Sequence, residues 1–155
     1  MTETQTTHHL HKNDLEYDVD FGDSVAIDTE AMGLNNLRDR LCLVQLSAGD
    51  GTVHLVQMTR DGKYHAPRLK KLLENPKVIK IFHYARFDVA ILQHYLGAHI
   101  APLYCTKIAS KLSRTYTDRH SLKALCQALL GITLDKESQA SDWGQPDLTQ
   151  KQLAY

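Results

Sequence analysis

Asp28 and Glu30 stand two residues apart at the end of an apolar run, Val25-Ala26-Ile27-Asp28-Thr29-Glu30. Strand side chains alternate with period 2, so both carboxylates project from one face. Like charges held that close repel, and they are costly to desolvate unless a cation sits between them. Hard oxygen ligands of this kind suit Mg²⁺ or Mn²⁺. The same pair is also compatible with an edge strand that simply ends in solvent. A third carboxylate, Asp88, stands three, four and seven residues before Ile91, Leu92 and Tyr95 and shares their inward helix face. An acid in that position needs a cation, a hydrogen-bond donor or a raised pKa, although a first-turn acid also gains from the helix dipole. Taken with a carboxylate pair on another element, the spacing favours a metal site.

The elements that must position these groups follow from patterning. Ser24 to Glu30, Arg40 to Ser47 and Thr52 to Met58 read as strands, and Asp50-Gly51 between the last two signals a hairpin. Pro67 to Glu74 reads as a helix with proline in its first turn, stopped by Asn75-Pro76. Val78 to His83 returns as a strand, and Arg86 to Leu96 is helical with Gly97 as its stop. Tyr104 to Leu112 begins as strand and becomes helix; Ser121 caps a helix that runs through Leu130 to Gly131. A loop from Ser138 to Pro146 carries the single tryptophan, Trp143, and Asp147 or Thr149 opens a last helix toward Tyr155. This order predicts a mixed sheet covered by helices: one α/β domain over 24–155 behind a lead-in of residues 1–23.

Composition narrows the function. Lys and Arg total 18 and Asp and Glu total 18, so net charge is formally zero. That balance argues against coating long duplex DNA, which needs many phosphate contacts, and leaves small or single-stranded nucleic acids open. Basic residues do gather between Lys107 and Lys123, including Arg114, Arg119 and His120, a run that a solvated helix face would also explain. Three separated cysteines in apolar segments fit buried thiols in a reducing compartment, so a cytoplasmic location is expected. The polar N-terminus shows no secretory signal, and no segment has the length and apolarity of a membrane span, so no membrane partner is expected.

Three separated motifs resemble the tyrosine branch of the DEDD 3′→5′ exonucleases, the branch of ribonuclease D. Ile27-Asp28-Thr29-Glu30 with Gly33 and Leu34 is similar to the first motif, and His83-Tyr84-Ala85-Arg86-Phe87-Asp88 to the second. Ser141-Asp142-Trp143 followed by Leu148 to Tyr155 is similar to the approach to the third. The run Cys105 to Leu112 with Tyr116 to His120 further resembles the short bacterial nano-RNase C type. The resemblance implies a ribonuclease H-like fold with a five-stranded mixed sheet. It implies a mechanism in which two ions about 3.5–4 Å apart hold the attacking water and the leaving oxygen. Asp28 would bridge both ions, Glu30 would help hold the water-side ion, Asp88 would serve the other, and the Tyr155 hydroxyl would orient or deprotonate the water. The implied substrate is short single-stranded RNA, down to dinucleotides, cleaved to nucleoside 5′-monophosphates by a ring-like homo-oligomer, possibly an octamer.

Motif context adds candidate substrate contacts. Met32, Leu34 and Phe87 would stack on or wedge between terminal bases, although each also reads as core. Thr29 and Gly33 offer backbone groups to the terminal ribose. His83 stands in the second motif, where a hydrogen-bonded strand-end histidine is equally compatible, and Arg114, Arg119 and His120 are candidates for phosphate contact. In this family a last aspartate follows the tyrosine by four residues, whereas the sequence given stops at Tyr155. A chain ending there is expected to hold the water-side ion weakly and to hydrolyse little. The alternatives are a ribonuclease D-like trimming enzyme, a DNA 3′→5′ exonuclease, and a catalytically dead nucleic-acid-binding protein of the same fold.

Overall fold

The computed structural model of the chain describes residues 6–134 and 141–153. Six strands form one sheet in the order β1-β4-β3-β2-β5-β6: β1 Thr7–Lys12, β2 Ser24–Ala31, β3 Leu41–Ser47, β4 Thr52–Gln57, β5 Ile79–Phe82 and β6 Leu103–Cys105. β2, β3 and β4 pair antiparallel, while β5 joins β2 and β6 joins β5 in parallel. The expected five strands are therefore present. A sixth, β1, comes from the lead-in and pairs parallel with β4. Its alternation is weak, with five of six residues exposed, so patterning gave no strand signal there.

One face of the sheet is sealed by α1 (Pro67–Glu74) and α2 (Ala85–Leu96). Val25 and Ile27 of β2, Val44 and Leu46 of β3 and Val56 of β4 pack there against Leu69, Leu73, Ile91 and Leu92. The lead-in is built into this layer, since Leu15 and Phe21 are buried in the same core. Asp14 supplies the cap that α1 lacks locally. Its carboxylate accepts from Arg68 N at 3.0 Å and Leu69 N at 2.8 Å, two of the donors every helix start leaves free.

The opposite face is partly open. α3 (Thr106–Ser113), α4 (Leu122–Leu130) and the short α5 (Gln150–Leu153) lie toward this side. Ser121 caps α4 by accepting from Ala124 N, and Gly97 and Gly131 end α2 and α4 in the left-handed conformation. A second, smaller core joins Cys42, Leu43 and Leu55 to Trp143, with Leu148 and Leu153 packed against it. No helix among the described residues is long and apolar enough to cross a membrane.

Candidate active site

β2 alternates as expected: Val25, Ile27 and Thr29 are buried against the helices, while Ala26, Asp28 and Glu30 face the open side. The strand is central, and the two acids stand in its C-terminal half, beyond the residues paired with β5 and beside the register shift between Glu30 and Ala31. Such a bulge bends the strand and re-aims the side chains beside it. Asp88 arrives from the first turn of α2 and is 3% exposed. Thr29 Oγ1, on the helix side of β2, donates to Asp88 Oδ1 at 2.6 Å. That bond ties the second acidic element to the first.

Burial disfavours the charged form of all three acids. Burial, and then the charges of Asp28 and Asp88, push Glu30 up to about 8. Burial pushes Asp88 up to about 7, with Asp28 adding to it and the Thr29 hydroxyl opposing it. Asp28 reaches solvent at the mouth of the site, yet the surrounding protein still raises its pKa, while its own bond from the Thr29 amide holds it down. None of the three takes part in an ion pair among the described residues. An all-oxygen set of mutually repelling acids, without a basic partner there, fits a divalent cation such as Mg²⁺ or Mn²⁺. Among the described residues no three or more His, Cys, Asp or Glu side chains are gathered closely enough to hold a metal ion by themselves.

Beside Asp28 lies an open cavity of about 940 Å³, with Asp28 and His83 in its lining. Gln45, paired with Asp28 across β2 and β3, lies on the same face and also lines it. Lys107, Ser121 and Lys123, and His8 of β1, also line it. Sequence reasoning placed Lys107 and Lys123 in a basic cluster without assigning them to the site. Gln45 was findable from period 2 on the neighbouring strand, whereas His8 depends on the unrecognised β1.

The remaining candidates distribute as follows. His83 accepts or donates at Nδ1 with Thr106 Oγ1, 2.9 Å away, so it is both a hydrogen-bonded strand-end histidine and a cavity residue. Met32 and Leu34 are exposed on the loop after β2, Leu34 at 88%, and Phe87 is half-buried. Gly33 has a steric reason: a Cβ there would meet Asp39 Oδ2 at 2.2 Å. Thr29 has its hydroxyl committed to Asp88. Arg114 bonds the Tyr116 hydroxyl and the Arg119 carbonyl, and Arg119 is exposed. His120 is buried at 8%, with Nδ1 2.8 Å from Ser110 Oγ; Arg119 and His120 line a separate cavity of about 300 Å³. The structure thus brings Asp28, Glu30, Asp88 and His83 together and sets Arg119 and His120 around that second cavity. Tyr155 lies outside the described residues.

Residues 4–155 match the family described as 3′-5′ exonuclease. Ribonuclease D of Bartonella henselae is 35% identical over 133 residues, which is 86% of this chain and 32% of the relative. Ribonuclease D of Gluconacetobacter diazotrophicus is 37% identical over 131 residues, 84% of this chain and 33% of the relative. The chain thus spans about a third of the length of these relatives. Brucella melitensis NrnC bound to pGG superposes with a TM-score of 0.91 at 50% identity, covering 97% of this chain and 72% of that one. The same protein with bound Mg²⁺ gives 0.90 at 50% identity, covering 97% and 73%. RNase D of Escherichia coli, an exoribonuclease involved in structured RNA processing, gives 0.71 at 27% identity over 86% of this chain and 35% of that one.

Proposed function

The chain belongs to the 3′-5′ exonuclease family, in its ribonuclease D branch and with its ribonuclease H-like fold, and we propose that it is a metal-dependent exoribonuclease acting on short single-stranded RNA. Dinucleotides are included among its substrates, and the products are nucleoside 5′-monophosphates. The observation that carries this reading is the set of mutually repelling acids Asp28, Glu30 and Asp88, of which Asp28 lines a cavity together with Lys107 and Lys123. A cavity of about 940 Å³ has the size of a small-ligand site, and zero net charge suits a substrate with few phosphates. The NrnC relative bound to pGG supports the same substrate class.

In the proposed reaction, water attacks the phosphorus of the terminal phosphodiester and the bond from phosphorus to the preceding 3′ oxygen breaks. The 3′ oxygen takes up a proton, and the terminal residue leaves as a 5′-monophosphate. Two divalent cations, when bound, would supply the positive charge that stabilises the crowded phosphate. Asp28 would contribute to both ion sites, Glu30 to the water side and Asp88 to the other. Thr29 holds Asp88 in its orientation. Tyr155 is proposed to orient the attacking water and receive its proton, and His83 and Lys107 to hold the substrate from the opposite rim. The assembly proposed is a homo-oligomer.

The test is length dependence. With the full-length protein and Mg²⁺, 5′-labelled RNAs of two, five and twenty nucleotides should be cleaved with the dinucleotide fastest. Equal rates at all lengths would leave a general exonuclease and remove the short-substrate reading. No cleavage of any of them would remove the enzyme reading.

A further inference from the structure

Away from the carboxylates, three successive backbone carbonyls of the C-terminal segment are captured by side chains of other elements. The Gly144 oxygen accepts from Arg60 Nε at 2.5 Å and from Arg40 Nη2 at 3.2 Å. Gln57 Nε2 donates to the Gln145 oxygen at 2.9 Å and to the Pro146 oxygen at 3.2 Å, and Lys12 Nζ donates to the latter at 3.2 Å. The donors come from just before β3, just after β4, from β4 itself and from β1. Two guanidinium groups on one neutral oxygen repel each other. The Asp142 carboxylate accepts from Gly144 N at 3.0 Å in the same segment.

The contacts also reach the acidic strand. Arg40 accepts from Met32 N through its own carbonyl at 3.1 Å, so one residue holds the chain after β2 by its backbone and the C-terminal segment by its side chain. Gly144 lies so close to Met32 that a Cβ there would come within 2.5 Å of the Met32 sulfur. Downstream, Gln152 Nε2 donates to the Asp142 oxygen at 3.1 Å, which fastens α5 to the same segment. Thr149 and Gln152 exchange bonds across the start of α5 and fix its direction.

We propose that Arg40 and Arg60 are positioning residues, which clamp Ser141–Pro146 through the Gly144 carbonyl and so set the path of α5 over β3 and β4. The link to the reaction rests on the role proposed for Tyr155; the clamp itself does not. Trp143, the chain's single tryptophan, lies buried inside the clamped segment and reports on it directly.

The experiment compares Arg60→Ala, Arg60→Lys and the double variant Arg40→Gln/Arg60→Ala in the full-length protein. Arg60 is exposed, so Arg60→Ala should keep the wild-type circular dichroism. Its Trp143 emission should shift to the red and become more open to acrylamide. Amide exchange at Trp143 and Gly144 should speed up by about tenfold, the effect of losing one charge-assisted hydrogen bond on a local opening. With pGG and Mg²⁺, kcat should fall by about tenfold or more while KM stays near wild type. Arg60→Lys should recover part of each, since one donor is retained without the planar fork. Unchanged Trp143 emission and exchange in both Arg60→Ala and the double variant would overturn the clamp. A shifted Trp143 with unchanged kcat would overturn the positioning role. Asp28→Asn separates the two readings: it should abolish cleavage and leave the Trp143 signals where they were. If the wild-type protein does not cleave pGG, the nuclease reading fails, while emission and exchange still decide the clamp.

Discussion

The strand carrying Asp28 and Glu30 and the segment carrying Trp143 are held by opposite means. β2 is paired on both sides and seated by Val25 and Ile27 in the larger core, so its position is set by apolar burial while its acids remain in mutual repulsion. The Ser141–Pro146 segment has only a small apolar anchor at Trp143 and is otherwise held by side chains bonded to its carbonyls. Charge is thus strained where the scaffold is rigid and satisfied where it is thin. A fold built in this way carries repelling acids on a scaffold seated by its larger core, while the Ser141–Pro146 segment stays separable.

The largest expected effect comes from breaking the rigid half. Asp28→Asn should lower cleavage of pGG on the order of 10³-fold or more, the scale seen when a charge-stabilising group is removed from a preorganised site. The same substitution should raise the Tm of the metal-free protein, because it relieves repulsion with Glu30. A lower Tm would break the contrast between strained and satisfied regions. Next, Thr29→Val should weaken Mg²⁺ or Mn²⁺ binding by about 10- to 100-fold, since it removes the donor that orients Asp88. Calorimetric titration of the metal measures this directly.

A pH series sharpens the same comparison. Glu30 at about 8 and Asp88 at about 7 lie above their ordinary values of 4.5 and 3.8, so the folded state keeps protons that the unfolded chain releases. Metal-free stability should therefore fall as pH rises from about 4.5 to 8, and metal affinity should climb over the same window. Thermal melts in chelator and in Mg²⁺ across that range check both signs. A metal-free Tm that rises with pH would contradict the account. The smallest effect is expected at Gly144→Ala, whose Cβ must displace the flexible Met32 side chain: a loss of about 1–2 kcal/mol, read by denaturant titration.

Much of this arrangement was legible in the sequence, for physical reasons that differ by region. β2 and α2 announce their acids because period 2 and the i, i+3, i+4 spacing fix which way side chains point, whatever the tertiary context. Helix ends at Pro67, Gly97, Ser121 and Gly131 were likewise local signals, and the helices start or stop at each, although the cap of α1 comes from the distant Asp14. β1 was missed because an edge strand exposed on both faces has no apolar alternation to detect. The Thr29–Asp88 bond spans 59 positions and the Arg60–Gly144 bond 84, and such pairings leave no trace in a local pattern. His120 read as a surface base in a charged run, yet it turns inward to Ser110, because one neighbour ten positions away decides its burial.

The central claim is that the acids of β2 and α2 serve hydrolysis of short RNA at its 3′ end. Its most direct test is the conversion of pGG to guanosine 5′-monophosphate by the full-length protein, with and without Mg²⁺, beside Asp28→Asn. The account predicts two monophosphates per dinucleotide with Mg²⁺, none in chelator, and none from Asp28→Asn at matched concentration. Equal turnover by the wild type and Asp28→Asn, or turnover that persists in chelator, would contradict it.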